Sequence, residues 1–106
     1  EGLALVEKAG VDRTAAVDAA LKSVIASPVI GYRAPLLVDD TAVFADVELQ
    51  QKDLVLAQDL ARKLGMSVPT CSATSEMLNA ARSSTTADRD FVVSVHEAYR
   101  RIGGVA

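Results

Sequence analysis

A lysine and an aspartate stand side by side near the start of an amphipathic segment, VELQQKDLVLAQDLARKLG, at residues 47–65. Lys52 can offer a positive charge to an anionic or carbonyl-bearing ligand, and the N-terminus of a helix itself favours anions. Asp53 falls among apolar positions and must find a partner or stay hydrated. A purely structural alternative remains open: Asp53 caps a neighbouring backbone or pairs with an arginine such as Arg33, while Lys52 extends along Leu56 to water.

Two other reactive side chains have simple structural explanations. His96 is the only histidine and Cys71 the only cysteine, so the chain holds no ligand set for a metal such as zinc. We expect His96 to be a surface or helix-packing residue, since no serine or aspartate completes a triad with it. Cys71 is expected to be a small buried or capping residue rather than a nucleophile. The polar segment SSTTAD at 83–88 lacks glycine, so it predicts an exposed loop rather than a phosphate cradle.

Apolar periodicity predicts helices throughout the chain and shows no alternation typical of β-strands. Gly10 is expected to end the first helix, Asp12 or Thr14 to cap the second, and Asp88 to cap the last. The prolines and glycine of SPVIGYRAP are expected to break the second helix, and LLVDDTAVFAD to hold a short helix and a loop. The predicted helices cover residues 2–9, 13–26, 46–65, 72–82 and 89–102.

The helix at 46–65 is predicted to bury one apolar stripe. Positions four apart on a helix differ by about 40°, so the stripe includes Asp53 and lies beside Lys52. Both residues are therefore expected to project from the N-terminal end of a buried face. The predicted stripe consists of Leu49, Leu56, Ala57, Leu60 and Leu64.

Composition indicates one helical domain that spans residues 1–106. Half of the residues are hydrophobic and 4% are aromatic, with no tryptophan, which argues against disorder and favours packed helices. A net charge of −3 argues against nucleic acid or an anionic membrane as the main partner. No apolar run is long enough to span a bilayer, and neither a signal peptide nor paired cysteines occur, which fits the cytoplasm. We predict an all-α bundle of about five helices.

Several segments resemble the C-terminal helical domain of the β-hydroxyacid dehydrogenases, which include 3-hydroxyisobutyrate dehydrogenase and tartronate semialdehyde reductase. KDLVLAQDLARKLGMSVPTCSATSEMLNAA is similar to the family pattern L-x-x-K-D-L-x-L-A, followed by a glycine, a proline and an alanine-rich helix. EGLALVEKAGVD resembles the end of the family's long interdomain helix, and DRDFVVSVHEAYRR the start of its last helix. SPVIGYRAPLL is similar to a family segment that has glycine where this chain has Ala34. Together these similarities cover nearly the whole chain.

The resemblance implies a 6-phosphogluconate dehydrogenase-like architecture, in which a Rossmann domain and a long helix precede the helical domain. Residues 1–9 would be the end of that helix, so we expect the chain to be a fragment without its Rossmann domain. The family's G-x-G-x-x-G loop and its G-x-x-x-K-x-x-N motif, which carries the catalytic lysine, do not occur here. NAD or NADP would then be bound mainly by the other domain, and this chain alone would be inactive.

By the same resemblance, Lys52 is the residue that contacts the cofactor, and Asp53 supports it. The family usually has phenylalanine seven residues before this lysine, where this chain has Ala45, so Phe44 is the candidate substrate contact. The implied partners are a short β-hydroxyacid, the chain's own Rossmann domain and further copies of the chain in a homo-oligomer. A non-catalytic helical dimerisation or interaction module is the alternative, which fits the composition equally well.

Overall fold

The computed structural model describes residues 1–106 and contains six α-helices, one 3-10 helix and no strand. This confirms the all-α class, with one α-helix more than the predicted bundle of about five. None of the helices combines the length and the apolar character that a membrane crossing would need. The helices are α1 Gly2–Lys8, α2 Arg13–Leu21, α3 Pro28–Arg33, the 3-10 helix Ala34–Leu37, α4 Val47–Leu64, α5 Pro69–Arg82 and α6 Phe91–Gly103.

Local capping fixes several helix ends where the sequence predicts them. Asp12 accepts a hydrogen bond from an amide of the first turn of α2, and Asp46 does the same for α4. Such caps satisfy amides that have no partner within the helix. Gly65 ends α4 with φ at +67°, and Gly10 follows α1 with φ at +91°. Left-handed backbone of this kind favours glycine, so both glycines stop their helices as predicted.

Other predicted boundaries are wrong. Helix α2 ends at Leu21 instead of continuing to residue 26. Ser23 lies just beyond this end, and its hydroxyl donates to the carbonyl of Ala20 in the helix. The segment predicted to break this helix is itself helical, because Ser27 caps α3 and Pro28 occupies its first turn. Proline is well tolerated there, since the first amides of a helix are unpaired anyway. Helix α6 is capped by Asp90 and not by Asp88.

Helix α6 is the centre of the fold and contacts α1, α4, α5 and the 3-10 helix. A small core forms where α4, α5 and α6 meet, from Val47, Leu78, Ala81 and Ala98. Only 14 of the 106 residues are buried. The radius of gyration is 14.5 Å, whereas a chain of this length would reach about 13 Å if it were packed as a typical domain. The bundle is therefore open, and many apolar side chains have no partner within the chain.

The predicted buried face of α4 is the face that the structure exposes. The four leucines of the predicted stripe, Leu49, Leu56, Leu60 and Leu64, are between 46% and 70% exposed. Val47, Gln51 and Ala61 are buried instead. Gln51 decides this rotation, because its amide group donates to Asn79 at 2.7 Å and accepts from Arg82 at 2.8 Å on α5. The hydrogen-bonding needs of one buried glutamine thus turn the leucines outward.

Apolar positions in other helices are also less buried than their periodicity predicts. On α5, Leu78 and Ala81 are buried as expected, whereas Ala73 is exposed. Of the predicted face of the second helix only Val17 is buried, while Val24 and Ile25 lie exposed beyond its end. The predicted face of α6 is half-buried along Phe91, Val92, Val95 and Tyr99, and Ile102 is exposed.

Candidate functional site

The predicted lysine–aspartate pair lies on the surface of α4. Lys52 and Asp53 are in the second turn of the helix, about 8 Å along the axis from Val47. Their side chains are 60% and 57% exposed, and the Lys52 Nζ is 3.2 Å from the Asp53 Oδ1. The prediction that they project from a buried face is therefore wrong. The suggested pairing of Asp53 with Arg33 is also wrong, because the partner of Asp53 is the neighbouring lysine.

Phe44, the candidate substrate contact, lies in the segment that leads from the 3-10 helix into α4. Its ring is 55% exposed. The ring of Tyr32 meets it edge-on with centroids 5.3 Å apart, and the guanidinium of Arg33 lies 5.4 Å from its centroid. Phe44 is thus a surface aromatic residue held by two side chains of α3.

The strongest polar cluster of the chain joins α3 to α6 through Arg33 and Asp90. The Asp90 carboxylate is fully buried. Arg33 Nη1 donates to both of its oxygens, at 2.8 and 2.7 Å. A buried ion pair of this kind needs good geometry and further hydrogen bonds to offset the removal of both charges from water. The rest of the cluster supplies them.

Three backbone amides complete the environment of Asp90. Phe44 N and Ala45 N donate to its Oδ2 at 2.9 and 3.3 Å, and Val92 N donates to its Oδ1 at 3.1 Å. In return, the amide of Phe91 donates to the carbonyl of Ala45 at 2.9 Å. The segment before α4 is therefore fastened to the start of α6 by one carboxylate and one backbone hydrogen bond.

A second buried cluster joins α1 to α6. The His96 Nε2 lies 2.8 Å from the Glu7 Oε2, and Arg13 Nε donates to the Glu7 Oε1 at 2.8 Å. Burial alone would raise the pKa of Glu7, but the hydrogen bond and charge of Arg13, with the charges of His96 and Arg100, hold it below its ordinary value. Burial lowers the pKa of His96, and the charge of Arg13 lowers it further, so that the attraction of Glu7 and Glu97 is outweighed. His96 is thus a helix-packing residue and not a surface residue, which were the two roles expected for it.

The remaining candidate residues have structural environments. Cys71 is half-buried in the first turn of α5, and its thiol donates to the carbonyl of Leu54 at 3.6 Å. Such a contact to a neighbouring helix fits the predicted packing role. No three histidine, cysteine, aspartate or glutamate side chains come together in a way that could hold a metal ion.

The pairing of Arg33 with Asp90 was not predicted from the sequence, which offered Arg33 only as a partner for Asp53. The two residues are 57 positions apart, so no local pattern connects them. The one available signal was the Asp90-Phe91 pair at the start of the last helix, which the family resemblance matched without assigning it a partner.

Comparison with known proteins places this helical bundle in a family. The model for the NAD-binding domain of NADP-dependent 3-hydroxyisobutyrate dehydrogenase matches residues 1–97. The chloroplastic glyoxylate/succinic semialdehyde reductase 2 of Arabidopsis thaliana is 30% identical over 92 residues, which are 86% of this chain and 26% of the reductase. The chain therefore spans about a quarter of the length of this relative. Since the family model covers most of the chain, the resemblance is confirmed, and the chain belongs to the NAD-binding domain family of the NADP-dependent 3-hydroxyisobutyrate dehydrogenases.

Proposed function

We propose that this chain is the C-terminal helical domain of an NAD(P)-dependent oxidoreductase that acts on a short β-hydroxyacid. Membership in the 3-hydroxyisobutyrate dehydrogenase family carries the proposal. The name of the relative adds that a reductase with a similar domain acts on glyoxylate and succinic semialdehyde, which are small carbonyl compounds of the same kind. In this proposal the helical domain closes the cleft over cofactor and substrate.

The chain fits one part of a dinucleotide site and lacks another. It has no strand and no glycine-rich phosphate loop, so a Rossmann domain would hold most of the cofactor. What it offers is Lys52, a cation near the positive end of the α4 dipole. Its only ion pair is an exposed one with its neighbour Asp53, which is weak and easily exchanged for a ligand. When bound, NAD(P) supplies the hydride acceptor or donor of the reaction.

Each of the candidate residues has a distinct role in this proposal. Lys52 contacts an anionic or carbonyl group of the cofactor. Asp53 accepts from the Lys52 ammonium and limits the directions in which it can point. Phe44 presents an exposed ring, which forms an apolar wall for the carbon chain of the substrate. The catalytic acid or base is expected from the lysine that the family carries outside this segment.

The exposed apolar faces support contacts with the Rossmann domain and with further copies of the chain. Besides the leucines of α4, an apolar groove of about 650 Å³ lies between α1, α2, α3 and the 3-10 helix, with eleven hydrophobic residues among the twelve that line it. Large exposed apolar patches commonly mark interaction sites, and the groove and the leucines together expose apolar side chains on two sides of the bundle. The same faces are the observation that favours the alternative, a non-catalytic interaction module.

A comparison of two lysines on α4 tests the proposed function. In the protein that carries its Rossmann domain, Lys52→Ala should weaken NADPH binding about tenfold or more, since a hydrogen bond to a charged group contributes about 1.5–3 kcal/mol. Lys63→Ala, which removes an exposed lysine from the last turn of the same helix, should change it less than about twofold. Fluorescence titration with NADPH measures both variants.

Two results would count against the proposal. Equal and small effects of the two substitutions would remove Lys52 from the cofactor site. Absence of NADPH-dependent reduction of glyoxylate and succinic semialdehyde, together with absence of NAD(P)-dependent oxidation of short β-hydroxyacids, would favour the interaction module.

A further inference from the structure

Asp90 makes more contacts to the segment before α4 than a helix cap requires. The capping role of its carboxylate needs one acceptor for one amide of the first turn, and the Oδ1 accepts from Val92 N. The Oδ2 accepts from the amides of Phe44 and Ala45 instead. Half of this buried carboxylate therefore serves a segment that does not belong to α6.

Arg33 holds the same segment through the aromatic ring of Phe44. Its guanidinium lies 4.8 to 5.4 Å from the ring centroids of Tyr32, Phe44 and Phe91. Cation–π contacts of this length are attractive and are stronger when water is excluded. The Nε of Arg33 is buried without a hydrogen-bond partner. The Arg33 side chain thus contacts the three rings and the Asp90 carboxylate, while one of its own donors stays unpaired.

Phe44 has little else to fix it. More than half of its surface is exposed, and it lies outside the hydrophobic core and the residues packed against that core. Its ring direction thus depends on the backbone amide that Asp90 binds, on the guanidinium that Asp90 orients and on the edge-on contact with Tyr32. These contacts hold an exposed loop residue from its backbone and from its ring at once.

We propose that Arg33 and Asp90 are positioning residues that fix the ring of Phe44 and thereby set the fit of the substrate's carbon chain. This inference rests on the proposed function, in which Phe44 lines the substrate pocket. Arg33 on α3 and Asp90 at the start of α6 would thus influence substrate fit, although neither side chain contacts the substrate.

Steady-state kinetics of Asp90→Asn test the role in substrate fit. An amide oxygen replaces the carboxylate, so Arg33 loses its charged partner and the Phe44 segment loosens. In the protein that carries its Rossmann domain, we expect the KM for succinic semialdehyde to rise about tenfold, because a misplaced pocket wall typically changes discrimination by 10-fold or more. The kcat and the Kd for NADPH should stay within about twofold of the wild type.

Glu7→Gln is the matched control, since it makes the same change of carboxylate to amide in the buried cluster between α1 and α6. It should leave the KM unchanged at an equal folded fraction. Phe44→Leu should raise the KM like Asp90→Asn, and the double variant should raise it no further, because both act on one ring. If Asp90→Asn does not fold, Arg33→Lys keeps a charge beside Asp90 but removes the planar group from the rings, and it should raise the KM instead.

Hydrogen exchange of the 106-residue chain separates this inference from the proposed function. In Asp90→Asn the amides of Phe44 and Ala45 should exchange at least about tenfold faster than in the wild type, and in Glu7→Gln they should not. Unchanged exchange at these amides overturns the positioning role. Faster exchange with an unchanged KM, or an additive double variant, overturns the role in substrate fit. A wild type without turnover but with the expected exchange overturns the proposed function, and with it the role in substrate fit, while the positioning of the Phe44 segment by Asp90 stands.

Discussion

Replacing Asp90 with alanine should cost much more stability than replacing Arg33 with methionine, although the two side chains form one ion pair. Asp90→Ala leaves a nearly buried guanidinium without its charge partner and three backbone amides without their acceptor. Arg33→Met leaves a buried carboxylate that still accepts from those three amides. The two substitutions therefore break the same pair but leave very different groups unpaired.

The expected magnitudes follow from these unpaired groups. Breaking a buried pair so that one charge remains costs about 3–5 kcal/mol, and loss of the α6 cap adds about 1 kcal/mol, which gives about 5 kcal/mol for Asp90→Ala. Arg33→Met should cost about 2 kcal/mol, the loss of a hydrogen bond with a charged group. A chain of 106 residues has about 5–15 kcal/mol in total. Asp90→Ala should thus bring the chain close to unfolding, and Arg33→Met should not.

Urea unfolding of the single and double variants at one pH measures the asymmetry. The double variant should cost less than the sum of the single ones, because methionine removes the charge that Asp90→Ala strands. Midpoints should shift while the dependence of free energy on urea stays constant. A larger effect of Arg33→Met than of Asp90→Ala, or strict additivity, would refute the view that the amides hold the carboxylate independently of the arginine.

Two further predictions concern pH and assembly. Burial lowers the pKa of His96 in the folded chain. When the pH is lowered, His96 of the unfolded chain is therefore protonated at a higher pH than His96 of the folded chain, and urea midpoints should fall below about pH 6.5. His96→Gln should flatten this fall above pH 5, where Glu7, whose pKa is held below its ordinary value by Arg13, His96 and Arg100, stays charged. An unchanged slope would contradict the assignment to His96. Leu56→Lys and Leu60→Lys on the exposed face of α4 should change monomer stability by less than about 0.5 kcal/mol each. In light scattering the same variants should dissociate an oligomer that the wild type forms, and a monomeric wild type would contradict this contact.

Helix ends could be predicted from the sequence where a side chain or a glycine settles them locally. Asp46 and Gly65 bound α4 at the predicted residues. One group of errors comes from proline, which lies in the first turn of α3, the 3-10 helix and α5, although SPVIGYRAP was expected to break the helix before it. The distinguishing feature for α3 was Ser27 directly before Pro28, since a cap followed by proline marks the start of a helix.

The candidate site could be predicted only in part, because its polar contacts are long-range. Lys52 and Phe44 entered through family resemblance, and both lie on the surface where a ligand could reach them. The position of Asp53 among apolar residues suggested a partner such as Arg33 for it, but Arg33 pairs with another acid. The true partner, Asp90, comes from a helix that only the tertiary fold brings close. Local patterns cannot rank such partners, since the desolvation that makes the pair strong exists only after folding.

The inverted face of α4 shows how amphipathicity and burial can disagree. Two stripes run along this helix with similar spacing: the exposed leucines, and a buried stripe in which Val47 and Ala61 flank the polar Gln51. Hydrophobicity favours the first stripe, yet the second is buried because Gln51 finds both its partners on α5. Exposed leucines on one side of α4 and packed residues on the other fit a helix that is covered from both sides in an assembly. The proposed Rossmann domain or a second copy of the chain would cover the leucines. The apolar side of α4 would then face that partner instead of the other helices of this bundle.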